Sequence, residues 1–298
     1  MSEDTEAWLR AAKAAAEDKD KIVCVVRRAD GETIEVELKP GAVGLQLVPI
    51  TKGSPPSPLP ADTGELLDAS LADGRDEWSI FELNGTQRGF EHITLRTEGD
   101  VIHLVHEVAF DGSPDFGLHH AIVKLSIRCG VTAEPQTLWY ENGLNGWLSE
   151  GRLIRDDAGG PVWRAESGMP DAKETTEIAL RTDIAPVPTY AVAQLARLLP
   201  QRKGVCFRFR PINDWDGSAS LRAAIICEGS EELEIGGKKV VATKFVQKQL
   251  GGTTLGTYWF DAERNLVQAD YGGPLAKRST KAKALAGLNE GLKPRTAD

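Results

Sequence analysis

All five histidines of the 298-residue chain, His92, His103, His106, His119 and His120, fall between positions 92 and 120. Imidazole exchanges a proton near neutral pH and is the commonest metal ligand. Three imidazoles on one side of a sheet, joined by a carboxylate such as Glu107 or Asp115, would suit zinc or another divalent transition metal. His92, His103, His119 and Glu107 are the candidate metal group. Without a metal, His103, His106 and His120 are the candidates for general acid–base catalysis, in a hydrolase or a lyase. No spacing among them is a metal signature such as HEXXH, and half-exposed strand histidines without a ligand are the plain alternative.

Other reactive groups offer less. There is no G-x-S-x-G elbow, and Ser113 lies in a turn-forming run, Asp111-Gly112-Ser113-Pro114-Asp115. The four cysteines, Cys24, Cys129, Cys206 and Cys227, form no CxxC pair. Each lies in an apolar β-type run and reads as a buried thiol, with two disulfides open to an exported protein. Trp139, Tyr140 and Trp147 surround Glu141-Asn142-Gly143, and Trp163 and Arg164 follow on the next strand. Such a cluster could stack planar or apolar ligands, or simply fill a core. Against 35 basic side chains stand 44 acidic ones, a net charge of -9, which argues against nucleic acid as a partner. No apolar run approaches the roughly twenty residues of a transmembrane segment.

The histidines need strands to position them. His92 lies in Gly89–Thr97, His103 and His106 in Val101–Phe110, and His119 and His120 in Leu118–Cys129. Alternation along a strand then sorts them. His92 shares a face with Thr94 and Arg96, and His103 with Val105 and Glu107. His106 takes the other face with Leu104 and Val108, and His119 and His120 point opposite ways.

An Ala-rich N-terminal helix, a hairpin around Asp30-Gly31 and a third strand at Ala42–Ile50 form an expected small unit, 1–60. Pro55, Pro56, Pro58 and Pro60 mark a linker, since proline cannot donate to a central sheet. Residues 61–298 then read as a long meander of strands with one helix, Tyr190–Leu199, between Pro188 and Pro200. Lys277, Arg278, Lys281 and Lys283 read as a charged terminal helix. The expected fold is therefore mainly β. It is a strongly curved antiparallel sheet or half-open barrel, because so many strands must curl to bury one face.

Asn84-Gly85-Thr86-Gln87-Arg88-Gly89 opens the meander, Val187–Pro200 carries a Pro–helix–Leu-Leu-Pro segment, and Trp259-Phe260-Asp261 with Asn265-Leu266-Val267 form the last hairpin. Over Trp78–Gly272 this order resembles bacterial exported proteins with a lipoprotein-carrier-like half-barrel. The resemblance implies binding of a lipid-like chain or lipoprotein partner in the hollow of the sheet. The favoured expectation is thus a binder of an apolar or amphipathic small ligand, and the alternative is the histidine-based enzyme. Residues 1–20 lack a basic-then-apolar export signal. The expected location is periplasmic or otherwise exported if a signal has been removed, and cytoplasmic if not.

Overall fold

A computed structural model describes residues 58–112, 117–144, 147–156, 162–169, 172–179, 185–212, 222–235 and 237–296, with the strands 22–27 and 33–38. The expected N-terminal helix, the strand Ala42–Ile50, Ser113 and Asp115 lie outside the described residues. The chain divides into two compact units, Met1–Pro56 and Ser57–Asp298. In the first, β1 (Ile22–Arg27) and β2 (Thr33–Leu38) form an antiparallel hairpin, with Ile22 opposite Leu38, Cys24 opposite Val36 and Val26 opposite Ile34.

Among the described residues the second unit forms one 15-stranded sheet. Its first strands are β3 (Arg75–Leu83), β4 (Thr86–Glu98), β5 (Val101–Asp111), β6 (Leu118–Arg128) and β7 (Glu134–Leu144). Then come β8 (Trp147–Asp156), β9 (Val162–Met169), β10 (Ala172–Ala179), β11 (Ala185–Pro188) and β12 (Cys206–Ile212). The last are β13 (Ala223–Ile235), β14 (Lys238–Gln249), β15 (Thr254–Phe260), β16 (Leu266–Asp270) and β17 (Leu275–Ser279). The spatial order is β10-β9-β8-β7-β6-β5-β4-β3-β17-β16-β15-β14-β13-β12-β11. Twelve of these strands, β7 round to β11, nearly close a barrel, and β7 meets β11 across its one seam. β8, β9 and β10 continue the sheet beyond β7.

Inside the curve lies a helix, α1 (Val192–Leu198), every residue of which is buried. Pro188 precedes it and Pro200 prevents its continuation, as expected of a residue with no donor. Leu195 and Leu198 pack in one core with Leu95, Leu104, Phe209 and Phe245 from the surrounding wall. One charged side chain is part of this core. The fully buried guanidinium of Arg197 donates two hydrogen bonds to Glu77, at 2.6 and 2.5 Å, and its Nε a third to Gln194 at 3.1 Å. Arg264 donates to the carbonyl oxygens of Arg197 and Leu199, satisfying orphan groups at the helix end.

Three expectations need correction. Lys277 and Arg278 belong to β17, and only Lys281–Ala284 is helical in that basic cluster. The charges stay at the surface of a strand because Lys277 reaches Glu82 at 2.7 Å and Arg278 pairs with Asp261. The sheet, expected to be antiparallel, is so among the described strands except at β11, which runs parallel to β12. Finally, part of the proline-rich linker is bound to the sheet. Arg208 donates to the carbonyl oxygens of Leu59 and Pro60, each at 2.6 Å, and Thr63 N–H to that of Cys206 at 2.9 Å.

Cys129, Cys206 and Cys227 are free, buried thiols. Burial pushes Cys129 up to about 12 and Cys206 up to about 11, which makes both poor nucleophiles. No helix among the described residues is long and apolar enough to cross a membrane.

Breaking the Arg197–Glu77 pair leaves a carboxylate uncompensated beside the core. Arg197→Met should cost about 3 kcal/mol in urea unfolding, and adding Glu77→Leu should restore part of it. Additive losses in the double variant would show that the pair is not coupled.

Candidate functional site

The ladder registers distribute the histidines over both faces of β4, β5 and β6, as alternation along each strand assigns them. His92 lies opposite Glu107, and His120 opposite Ala109, on the outer face. His106 lies opposite Ile93, and His119 opposite Phe110, on the inner face that meets the buried helix. His103 is on the outer face four residues from Glu107, about 13 Å along the strand at ~3.3 Å per residue. It is exposed, 2.9 Å from Ser126 Oγ.

The proposed metal group is therefore not assembled. His92 and Glu107 are neighbours, His103 is remote, and His119 is on the other face. Among the described residues no group of three or more His, Cys, Asp or Glu could hold a metal ion. The candidate catalytic histidines are divided too, with His106 inside and His103 and His120 outside.

On the outer face Glu107, bonded to His120, holds the segment after β17. The Glu107 carboxylate is fully buried. His120 Nε2 lies 2.6 Å from its Oε1, Arg295 N–H donates to the same oxygen at 2.7 Å, and Thr296 donates to Oε2 through both N–H and hydroxyl. Burial alone would raise this carboxyl, but the bonds from His120, Thr296 and Arg295 outweigh it and hold it below its ordinary value of 4.5. Nearby, His92 stacks on Trp78 with centroids 3.9 Å apart and bonds Asp76 at 2.9 Å. Arg295 also pairs with Glu141 at 2.6 Å. Trp78, Phe90 and Ala109 form the apolar patch that Ala284 and Leu292 of this segment cover.

The inner face carries a different group. Along β5 the inward residues change from Ile102 and Leu104 to His106, Val108 and Phe110. Along β4 they change from Leu95 and Ile93 to Glu91. His106 Nε2 lies 2.7 Å from Glu91 Oε1, which also accepts from the Tyr271 hydroxyl at 2.5 Å. His106 Nδ1 is 3.3 Å from the Tyr190 carbonyl oxygen. Glu91 Oε2 is buried with no hydrogen-bond partner among the described residues. Around this carboxylate run aromatic contacts: Phe81 stacks on Phe110 at 4.8 Å and on Tyr271 at 6.4 Å, and Tyr258 meets Tyr271 edge-on at 6.1 Å. Phe110, Tyr190 and Tyr271 of this group are only partly buried. Gly256 leaves room for it, since a Cβ there would lie 2.7 Å from the Tyr258 hydroxyl, which donates to Gln247 at 2.7 Å. Burial first, and then the Glu91 charge, push the Tyr258 and Tyr271 hydroxyls upward, so both stay protonated as donors.

Glu91 was not singled out by sequence reasoning, although a signal exists. It shares strand parity with Ile93 and Leu95, a carboxylate in an apolar row.

The tryptophan cluster is also redistributed. Tyr140 is fully buried in the core while Trp139, its neighbour on β7, faces outward with Lys124 Nζ 5.2 Å from its ring centroid. Trp147 pairs with Leu144 at one end of β8, and Trp163 pairs with Arg155 near the other, about 26 Å away at ~3.3 Å per residue. Arg164 pairs with Ile154. The side chains of Trp147, Trp163 and Arg164 lie outside the described residues.

Burial, reinforced by the charge of His120, pushes His119 down to about 4 from 6.5. The unfolded chain binds this proton first, so stability present above pH 6.5 is lost as pH falls toward 4, by up to about 3 kcal/mol. His119→Phe, packed on Phe110, should flatten that limb of a urea-midpoint-versus-pH curve. The Glu107 contribution, present above 4.5, would remain and fail only at lower pH. An unchanged slope between pH 6.5 and 4 would contradict this assignment. Separately, Glu107→Gln should expose the segment after Ser279 to limited proteolysis at neutral pH, and persistent resistance would show that the clasp is dispensable.

No family model matches the chain, and neither a curated protein nor a solved structure is significantly similar to it.

Proposed function

We propose that the protein binds an apolar or amphipathic small ligand at the aromatic end of the barrel interior, with Glu91, His106 and Tyr271 as its polar anchor. The supporting observation is the buried Glu91 carboxylate, fixed through Oε1 and lacking a partner on Oε2, in a wall of partly buried aromatic rings. A few convergent polar groups in an apolar wall are the ordinary makeup of a small-molecule site. Because the helix Val192–Leu198 fills part of the interior, the ligand's apolar portion would lie along Phe81, Phe110 and Leu83 rather than through the whole hollow. The ligand class we favour is lipid-like, including an acyl chain borne by a lipoprotein, as in the bacterial carriers the chain resembles. A periplasmic location accords with that reading.

One observation favours the alternative enzyme reading. Both ring nitrogens of His106 lie within hydrogen-bond distance of oxygens, one of them on the Glu91 carboxylate, a pairing of groups that can serve acid–base chemistry. Ser79 lies directly opposite Glu91 in the ladder. Yet with both nitrogens engaged, His106 has none left to take a proton from a serine, and binding is the better supported role.

Native mass spectrometry of gently purified protein, followed by solvent extraction, tests the proposal. A stoichiometric adduct released by solvent is expected. Phe110→Ala should weaken rebinding of the extracted compound by about tenfold. Absence of any adduct, together with failure to bind a neutral solvatochromic dye, would overturn it.

A further inference from the structure

We infer that this site selects amphiphiles whose head group donates a hydrogen bond and carries no negative charge, an alcohol or an amine, and rejects the matching carboxylate. The inference rests on the ligand-binding reading above and adds the chemistry of the head.

Glu91 is 1% exposed, and its Oε1 already accepts from His106 and Tyr271. Its Oε2 has no partner among the described residues. A buried carboxylate oxygen is unfavourable until a donor reaches it. The group that completes this site must therefore bring a proton. An anionic head would bring instead a second negative charge with no partner. The basic side chains of the neighbouring inner wall are engaged elsewhere. Arg197 is held by Glu77, Arg278 by Asp261, and Arg75 by Asn265 and the carbonyl oxygen of Glu263. Among the described residues the proton-bearing groups beside Glu91 are His106 and the Tyr271 hydroxyl, both already bonded to its Oε1. Tyr271 bonds this carboxylate, Tyr258 lies edge-on to Tyr271 and Tyr190 to His106, and such rings tolerate a hydroxyl and attract an ammonium.

The test uses the full chain and displacement of the neutral dye Nile red by three compounds of equal chain length: 1-dodecanol, dodecylamine and dodecanoate, all below micellar concentrations at pH 7.5. Dodecanol and dodecylamine should displace the dye at concentrations at least about tenfold below dodecanoate. Their mutual ranking tells whether a neutral or a cationic donor is preferred. Glu91→Gln supplies an amide donor in place of the acceptor and should abolish the gap. The wild-type ranking stands alone if that variant does not fold. Equal or tighter binding of dodecanoate would overturn the head-group inference and leave ligand binding intact. Failure of all three compounds to displace the dye would overturn the ligand-binding reading itself.

Discussion

β17 is five residues long, and the closure of the sheet depends on it. It pairs with β16 on one side and β3 on the other, so it alone joins the ladder of β3 to β10 to the ladder of β11 to β16. Its inward Ala276 is fully buried, while its outward Lys277 is tied to Glu82. A small residue at its buried centre and paired charges on either side of it let a short strand pass through a crowded wall. Everything the interior does follows from that join. Only when both ladders share one curve do Glu91 of β4 and Tyr271, just after β16, come within hydrogen-bond distance, 180 residues apart in sequence.

The same join explains why both faces of β3 to β6 are covered. The buried helix packs on one face and the segment after β17 on the other. A strand covered on both sides no longer alternates cleanly between apolar and polar residues. Phe90 faces out and is fully buried, Ile93 faces in and is equally buried, and Glu91 between them faces in as well. Polar groups placed on such strands are costly unless they find partners. Glu91 and Glu107 each meet an imidazole, one inside and one outside.

The strand order of the meander and the helix between Pro188 and Pro200 were legible in the amino-acid sequence, because turn residues and prolines mark their ends. So was the sorting of the histidines by face, since alternation is a local property of a strand. What alternation could not supply was which face is inner, or what lies across from it. Two of the partners of Glu107 are main-chain N–H groups of Arg295 and Thr296, 188 and 189 residues away, and no side-chain pattern announces them. β17 was obscured by Lys277 and Arg278, whose charges look like a solvated helix until Glu82 and Asp261 are placed beside them. β11 was obscured by Pro186 and Pro188, which are tolerated because the strand is at an edge and pairs on one side only.

The distance along the chain between β3 and its second partner has a consequence for biosynthesis. Lys277 and Glu82 are 195 residues apart. While the ribosome works through that interval, β3 can pair with β4 but keeps its other edge bare, a row of unpaired amide and carbonyl groups open to any passing strand. Hairpins such as β4–β5 and β5–β6 form early from near neighbours, whereas the barrel waits for the last strand to be made. Nascent chains of this protein would thus spend most of their synthesis with an adhesive edge, and chaperone attention should concentrate there.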